Sequence, residues 1–366
     1  MPDPAPPARL GCPLQRRRLL AALLWPAAGW AQAPAQIAPE LEQAARAEGR
    51  IKSVGMPDHW ANWRSTWADL KRLYGLEHID ENMSSAAEID RMEAEGRHAT
   101  IDIGDVGYEY AAVARARKVS LAHKPALWAQ IPDWAKDADG YWALAYTGTI
   151  AFAVNTRRLG SEPVPRSWKA LFAGRYTVMI GEVGTSAQAN ATVLAAAIAL
   201  GGAEHRLQPA LAEFAKLQAQ GRLNGDAPNP ERMERAPVDV FVLWDFNALA
   251  FREKLRNAAD YEVLIPSDGS VTSGYTPIIN RHAPNPNAAK LARDYIFSDA
   301  GQLNLARGYA RPIRIAQLQL PEAVSKRLLD AAQYKNARVV QPAIWAWEAK
   351  KLGKTWTQEV LKAAPP

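Results

Sequence analysis

Residues 141–155 read YWALAYTGTIAFAVN, and the overall architecture can be inferred from this stretch outward. It has strand character over its length, interrupted at Gly148, and it follows Asp139-Gly140, a pair typical of a hairpin turn. A run of this length suits two strands that cross from one domain into another. The stretch therefore predicts a protein of two lobes joined by crossing strands.

Short β-branched runs alternate with helical patterns on both sides of this stretch, which indicates α/β organisation. The predicted strands cover residues 51–56, 78–83, 101–103, 176–183, 238–244, 261–266 and 275–280. The predicted helices cover residues 39–49, 62–75, 86–95, 184–202, 207–220, 284–298 and 301–309. At the start of the third helix, Ser84-Ser85 is expected as the N-cap, with Glu88 completing a capping box.

The order of these elements predicts a chain that crosses between lobes and then returns. We expect residues 34–146 to form the first lobe, completed by about 275–310, and residues 147–274 to form the second lobe. A mostly helical C-terminal segment, residues 311–366, packs on the lobes. The cleft between the lobes then receives the carboxyl ends of the strands, where open α/β sheets bind ligands.

The N-terminus is expected to be an export signal. Arg16, Arg17 and Arg18 precede an apolar stretch, residues 19–29, and small residues suited to cleavage follow at 31–33. The apolar stretch is shorter than the roughly 20 residues that span a bilayer. The arginines fit either a Sec signal or a twin-arginine signal. We therefore expect residues 1–33 to be removed on export to the periplasm.

Export changes what the composition implies. Cys12, the only cysteine, lies before the apolar stretch, which argues against a lipoprotein and leaves the mature chain without a disulfide or a thiolate metal site. Residues 1–33 also carry half of the formal net charge of +6. No block of lysines and arginines remains in the body of the chain, so nucleic acid is not an expected partner.

Six short stretches distributed along the chain carry a resemblance to a known family. They are 53–58 (SVGMPD), 101–107 (IDIGDVG), 146–155 (YTGTIAFAVN), 165–171 (PRSWKAL), 243–247 (LWDFN) and 286–291 (PNAAKL). In these the chain resembles the extracellular solute-binding proteins of ABC importers, in the group that includes binders of iron, polyamines and 2-aminoethylphosphonate. The resemblance implies a two-lobed type II periplasmic-binding fold that closes on its ligand and delivers it to an inner-membrane permease. The protein is expected to be a monomer without a cofactor.

The candidate ligand residues follow predicted strands, begin predicted helices, or lie near the crossings. They are Trp60, Asn62, Ser84, Ser85, Asp105, Tyr146, Thr185, Ser186, Trp244, Asp245, Tyr275 and Arg311. Tryptophan faces and carboxylates suit a cationic amine, whereas hydroxyls at a helix start suit an anion such as carboxylate or phosphonate. Core packing is the alternative role for the tryptophans, and helix capping is the alternative for the serines and aspartates. If Asp245 holds an amine, Asp245→Asn should weaken amine binding.

The sequence also bears on two other functions, iron binding and hydrolysis. Iron-binding relatives use paired tyrosines, but this chain has no adjacent tyrosine pair, and its six histidines lack metal-ligand spacing. The hydrolase signatures Gly-x-Ser-x-Gly and His-Glu-x-x-His are absent. The loop 184–188 lacks the lysine of a nucleotide-binding P-loop. We therefore expect a binding protein for a small charged organic solute (an amine, a polyamine or a zwitterion such as an aminophosphonate). Ferric iron or an iron chelate is the alternative, and a secreted hydrolase is a more distant one.

Overall fold

A computed structural model of the protein describes residues 37–362. The predicted export signal, residues 1–33, lies outside the described residues. Within 37–362, no helix is both long enough and apolar enough to cross a membrane.

Strands and helices alternate through most of the described chain. The strands are β1 Arg50–Val54, β2 Glu77–Glu81, β3 Ile103–Gly107, β4 Ser120–Leu121, β5 Tyr146–Asn155, β6 Val178–Met179, β7 Leu223–Asn224, β8 Val240–Trp244, β9 Tyr261–Leu264, β10 Ser270–Asn280, β11 Arg311–Pro312 and β12 Ala337–Val339. The helices are α1 Pro39–Glu48, α2 Trp63–Tyr74, α3 Ser85–Glu95, α4 Tyr108–Ala116, α5 Trp168–Ala173, α6 Ala187–Ala199, α7 Gln208–Ala219, α8 Pro230–Arg235, α9 Asp245–Arg252, α10 Pro286–Phe297, α11 Asp299–Arg307, α12 Glu322–Ser325 and α13 Pro342–Trp356.

The described strands form one curled, 12-stranded sheet, in which eight strands follow the order β2-β1-β3-β10-β5-β8-β6-β7. Of the other four, β9 and β11 pair with β5, and β4 and β12 pair with β10. In the first half of the sheet, β1 lies parallel to β2 and β3, and β10 runs antiparallel to β3. In the second half, β6 lies parallel to β7 and β8, and β5 runs antiparallel to β8 and β9. We call each half of the sheet, with the helices packed on it, a lobe. The residues at which one lobe passes into the other remain a prediction.

Two long strands, β5 and β10, join the halves. They pair antiparallel between Tyr146–Thr149 and Thr272–Tyr275. Beyond that segment β5 pairs with β8 and β9, and β10 pairs with β3, β4 and β12. The prediction of an α/β fold with two crossover strands is confirmed. Residues 141–145 do not join β5, however, and Gly148 does not interrupt it. A Cβ at Gly148 would lie 2.5 Å from the Phe246 ring, so this glycine allows close packing inside a continuous strand.

Local sequence signals explain the best-predicted helices. Helix α1 begins with Pro39 and ends before Gly49, whose φ of 65° lies in the left-handed region. Helix α2 buries Trp63, Trp67 and Leu70 on the face predicted from their spacing. Apolar periodicity and end signals are thus sufficient to predict a helix that buries only one face.

The C-terminal segment is less helical than predicted, because β11, β12 and short 3₁₀ turns interrupt it. The part of this segment before α13 contacts the second lobe and a crossing strand. The side chain of Arg338 forms an ion pair with Glu204, and β12 pairs with β10. Helix α13 then packs on α4 of the first lobe. The same helix meets the second lobe, where the Trp356 ring lies 5.4 Å from the Phe214 ring.

Candidate functional site

A cavity of about 130 Å³, called here the inner cavity, lies between the two lobes. Its lining comes from the loops after β1 and β2, from α3 and β3, from the crossing strand β10 and from the start of α6. The lining residues are Gly55, Pro57, Trp60, Asn82, Met83, Ser84, Ser85, Glu88, Asp105, Ser186, Ala187 and Tyr275. The inner cavity thus brings together Trp60, Ser84, Ser85, Asp105, Ser186 and Tyr275 from the predicted ligand residues.

The lobes touch each other around this cavity. The Trp60 ring of the first lobe meets the Phe246 ring of the second lobe edge-on, with centroids 5.4 Å apart. A Cβ at Gly107 of the first lobe would lie 2.9 Å from the Cβ of Ala187. The described arrangement is therefore closed, and a molecule in the inner cavity contacts both lobes.

One wall of the inner cavity is aromatic and rigidly held. Trp60 meets Tyr275 edge-on at 5.4 Å, and its indole N–H donates to the Tyr146 hydroxyl at 2.7 Å. Tyr146 is stacked on Tyr275 with the ring centroids 5.6 Å apart. Trp244 is buried behind the wall, where its indole N–H donates to the Tyr275 hydroxyl at 3.0 Å. Tyr146 and Trp244 therefore support this wall and do not line the cavity.

Two buried carboxyl groups face the inner cavity. Asp105 is only 2% exposed and lies within β3, not after a strand as predicted. Its Oδ2 accepts from the Tyr146 hydroxyl at 2.6 Å, whereas Oδ1 has no hydrogen-bond partner among the described residues. The nearby Trp63 indole N–H also lowers the pKa of this carboxyl group, although the two groups do not have the geometry of a hydrogen bond. Burial raises the pKa of Asp105 to about 8, although the Tyr146 hydrogen bond opposes the rise.

Glu88 is the second carboxyl group, and it does not form the predicted capping box. Ser84 alone is the N-cap of α3, and the Glu88 side chain turns inward. It fits because a Cβ at Gly55 or at Gly104 would overlap its carboxylate. Glu88 Oε2 has no described partner. Burial, followed by the charges of Asp105 and Asp80, raises the pKa of Glu88 well above its usual value.

Two helix N-termini, one from each lobe, meet the same cavity. The Ser84 hydroxyl caps α3 by accepting from Ala87 N, and the Ser186 hydroxyl caps α6 by accepting from Ala189 N, each at 3.4 Å. The first helical residues, Ser85 and Ala187, both line the cavity. Their N–H groups have no intrahelical acceptor and carry the positive ends of the helix dipoles. The site can therefore offer donors to an anionic group.

Ser85 has a structural task as well. Its Oγ accepts from Gly107 N at 3.0 Å, which joins the start of α3 to the end of β3. The prediction that Ser85 shares the N-cap with Ser84 is wrong, because the capping oxygen belongs to Ser84.

The other predicted residues lie elsewhere. The Asn62 amide donates to the Asn304 carbonyl at 2.9 Å, and Thr185 is exposed with its hydroxyl on the Glu182 carbonyl at 3.4 Å. Asp245 is buried outside the cavity lining and accepts from Thr149 N, Phe246 N and the Tyr334 hydroxyl, at 2.9, 2.9 and 2.6 Å.

Arg311 lines a different cavity of about 300 Å³, which also includes Thr147 and Thr149. Successive residues of a strand point to opposite faces. Tyr146 therefore lies on the inner-cavity side of β5, and the threonines with Arg311 lie on the opposite side.

A metal centre is not assembled from the described side chains. Among residues 37–362, no group of three or more His, Cys, Asp or Glu side chains is placed to hold a metal ion. Tyr146 and Tyr275 are neighbours in space, but each hydroxyl is already bonded within the protein, to Asp105 and Trp60 or to Trp244.

The family model described as "Bacterial extracellular solute-binding protein" matches residues 103–337. None of the curated proteins compared with the chain matches it.

Three solved structures illustrate the likeness in fold. The periplasmic binding protein AfuA from Actinobacillus pleuropneumoniae, with fructose-6-phosphate bound, has a TM-score of 0.70 at 18% identity and covers 86% of this chain and 98% of that one. A putative spermidine/putrescine ABC transporter from Listeria monocytogenes has a TM-score of 0.66 at 17% identity, covering 86% and 100%. Apo ferric ion-binding protein A from Pasteurella haemolytica has a TM-score of 0.67 at 12% identity, covering 86% and 98%.

These likenesses confirm the predicted periplasmic-binding fold and leave the solute open. The family and the fold are those of binding proteins, not of enzymes. The chain belongs to the bacterial extracellular solute-binding proteins.

Proposed function

We propose that the inner cavity captures a small zwitterion, with an amine at one end and a carboxylate or phosphonate at the other, for delivery to a membrane permease. One observation carries the proposal: two buried carboxyl groups and two helix N-termini line a single cavity of about 130 Å³. A zwitterion is complementary to both kinds of group at once.

The amine end is assigned to Asp105 and Glu88. Each has a carboxyl oxygen without a described partner, and an ammonium group supplies the missing donors. The faces and edges of Trp60 and Tyr275 line the same space, and aromatic faces attract cations. Burial favours the uncharged carboxyl groups in the empty cavity, so a bound ammonium draws them towards the ionised form.

The anionic end is assigned to the starts of α3 and α6. The N–H groups of Ser85 and Ala187 are oriented by their helices, and the hydroxyls of Ser84 and Ser186 lie beside them. A carboxylate or phosphonate at such positions is stabilised by hydrogen bonds and by both helix dipoles.

The volume limits the size of the solute. An apolar cavity of about 150 Å³ holds benzene, with its six carbon atoms. The inner cavity, at about 130 Å³, therefore suits a solute of roughly six to eight non-hydrogen atoms if the lobes adjust slightly around it. A long polyamine is disfavoured.

Closure follows from the position of the site. A solute touches the first lobe through Asp105 and the second through Ser186 only when the lobes are together, so binding shifts the population towards the closed form. Bending is expected in the paired segment of β5 and β10, since these strands carry both crossings.

The decisive experiment is native mass spectrometry of protein isolated from the periplasm without refolding, to identify a co-purified solute. Calorimetric titrations then compare 2-aminoethylphosphonate and γ-aminobutyrate with ethylphosphonate, butylamine and ferric citrate. We expect binding and a higher melting temperature with a zwitterion, and much weaker effects with either half-molecule. Binding of ferric citrate alone, or binding of ethylphosphonate as tight as that of the aminophosphonate, would contradict the proposal.

A further inference from the structure

We propose that a second cavity, beneath the C-terminal helix α13, is a separate binding site for an organic cation with an apolar body, such as a primary alkylamine. This outer cavity measures about 460 Å³ and lies between α3 and α4 of the first lobe and α13. Its lining includes Ile89, Glu109, Val113, Arg117, Ala349 and Lys350. The inference goes beyond the zwitterion site and does not depend on it.

A buried carboxylate oxygen at this cavity has no described partner. Glu109 is 3% exposed, and its Oε1 has no hydrogen-bond partner among the described residues. Because Glu109 also lines the outer cavity, a donor entering that space can reach an otherwise unsatisfied oxygen. Burial raises the pKa of Glu109 to about 7, so a nearby cation stabilises its ionised form.

The charge and shape of the outer cavity suit a cation with an apolar body. Small and apolar side chains dominate the walls, including Ile89, Val113 and Ala349, and favour an alkyl body. At the rim, Arg117 is balanced by Asp90 at 2.7 Å and by Glu93. Asp90, Glu93 and an ionised Glu109 carry three negative charges in all. Arg117 and Lys350 carry two positive charges, so one negative charge is left over. A positively charged guest is therefore preferred to an anion.

The outer cavity is distinct from the inner one. Along the first lobe, Asp105 lines the inner cavity and Glu109 the outer one, with Gly107 between them. Gly107 lies against Ala187 and donates its N–H to Ser85, so the contact between the lobes separates the two spaces.

The outer cavity is also linked to closure through α13. A Cβ at Gly184 would lie 2.5 Å from Gly353 Cα, and the Trp356 ring meets the Phe214 ring of the second lobe at 5.4 Å. Helix α13 is therefore fixed to the second lobe, while its other side faces α4 of the first. A guest between α13 and α4 contacts both lobes and stabilises the closed form, so it should also tighten solute binding in the inner cavity.

The test uses n-pentylamine as the probe and n-pentanol as its uncharged counterpart, titrated calorimetrically into the full chain. The background variant is Asp105→Asn, which weakens amine binding in the inner cavity. There we expect pentylamine to bind at millimolar concentration and pentanol at least tenfold more weakly. Adding Glu109→Gln should weaken pentylamine binding at least tenfold, and Ala349→Leu, which fills the cavity, should abolish it.

Ala343→Leu is the matched control, because Ala343 is an exposed position of the same helix outside the outer cavity. The inference is overturned if pentylamine does not bind at 10 mM, if pentanol binds equally well, or if Ala349→Leu behaves like Ala343→Leu. Should Asp105→Asn fail to fold, the two leucine variants are compared in the wild-type chain. Failure of zwitterions to bind is measured in separate titrations and bears only on the inner cavity.

Discussion

Asp105 and Asp245 look alike in the sequence but have different environments. Each is a buried aspartate close to aromatic residues, one in β3 of the first lobe and the other at the start of α9 in the second. The Asp245 carboxylate is occupied by two backbone N–H groups and the Tyr334 hydroxyl, whereas Asp105 keeps one oxygen without a described partner. The number of protein donors, and not burial, separates a structural carboxylate from one available to a solute.

The pKa values follow the same difference. Burial raises the pKa of both groups, to about 8 for Asp105 and to about 6 for Asp245. Donors from Tyr334, Thr149 and Phe246 offset more of the burial effect at Asp245. Asp105 therefore depends more on an external cation for its ionised form.

The largest expected effect is on solute affinity in Asp105→Asn. Removing the carboxylate that faces the ammonium group should weaken zwitterion binding by roughly 100-fold, which corresponds to about 2.7 kcal/mol. Calorimetric titration of the solute identified by mass spectrometry provides the measurement. A loss of affinity below about threefold would show that the amine binds elsewhere. Asp105 would then be a structural residue, as Asp245 is.

The next effect is on pH dependence. The pKa of Asp105 is raised in the folded protein from its ordinary 3.8 to about 8, so folding favours its protonated form. The resulting stability is fully present below pH 3.8 and is lost as the pH rises through about 8. The solute-free protein should therefore become less stable to urea over this window, whereas affinity for an amine should rise by up to tenfold per pH unit below pH 8.

Asp105→Asn should flatten both profiles, and other carboxyl groups with raised pKa values, including Glu88, Glu109 and Asp245, should account for the slope that remains. An unchanged affinity profile in this variant would show that another group titrates. Unfolding curves and titrations at matched ionic strength separate the stability effect from the binding effect.

Asp245→Asn should show the opposite pattern from Asp105→Asn. An amide keeps the oxygen that accepts from the Thr149 and Phe246 N–H groups, but it replaces the oxygen that accepts from Tyr334 with an N–H donor, so the Tyr334 hydroxyl loses its acceptor. We expect a loss of about 1–3 kcal/mol in the free energy of unfolding, with solute affinity within threefold of the wild type. Urea unfolding tests the first part, and a large loss of affinity in folded protein would contradict the second.

This pair also shows how far sequence reasoning reaches. Helices α1 and α2 could be predicted because their caps and apolar stripes are local, and β5 because its length exceeds what one lobe needs. The partner that distinguishes Asp245 is Tyr334, 89 positions away, and nothing near either residue signals the contact. Whether a carboxylate has enough protein donors therefore depends on the tertiary structure and not on its neighbours in the sequence.

Glu88 was missed for the same physical reason. Its spacing from Ser85 matches a capping box, and this local pattern suggested an exposed role at the helix start. The inward position depends on two glycines, Gly55 and Gly104, that leave room for its carboxylate. Their nearness to Glu88 follows from the pairing of β1 with β3, so only the assembled sheet could reveal it.

The smallest expected effect belongs to Arg311, on the opposite face of β5 from the inner cavity. The Arg311 guanidinium lies 5.9 Å from the centre of the Tyr334 ring, and its charge lowers the pKa of the neighbouring Asp245. Arg311→Gln should therefore change solute affinity by less than twofold, because Asp245 stays bonded and the inner cavity is not touched. Arg311→Lys, which keeps the charge, serves as the control. A tenfold loss of affinity in both variants would mean that the guanidinium group of Arg311 supports solute binding through its shape as well as its charge. The residues that determine affinity would then include some on the opposite face of β5 from the inner cavity.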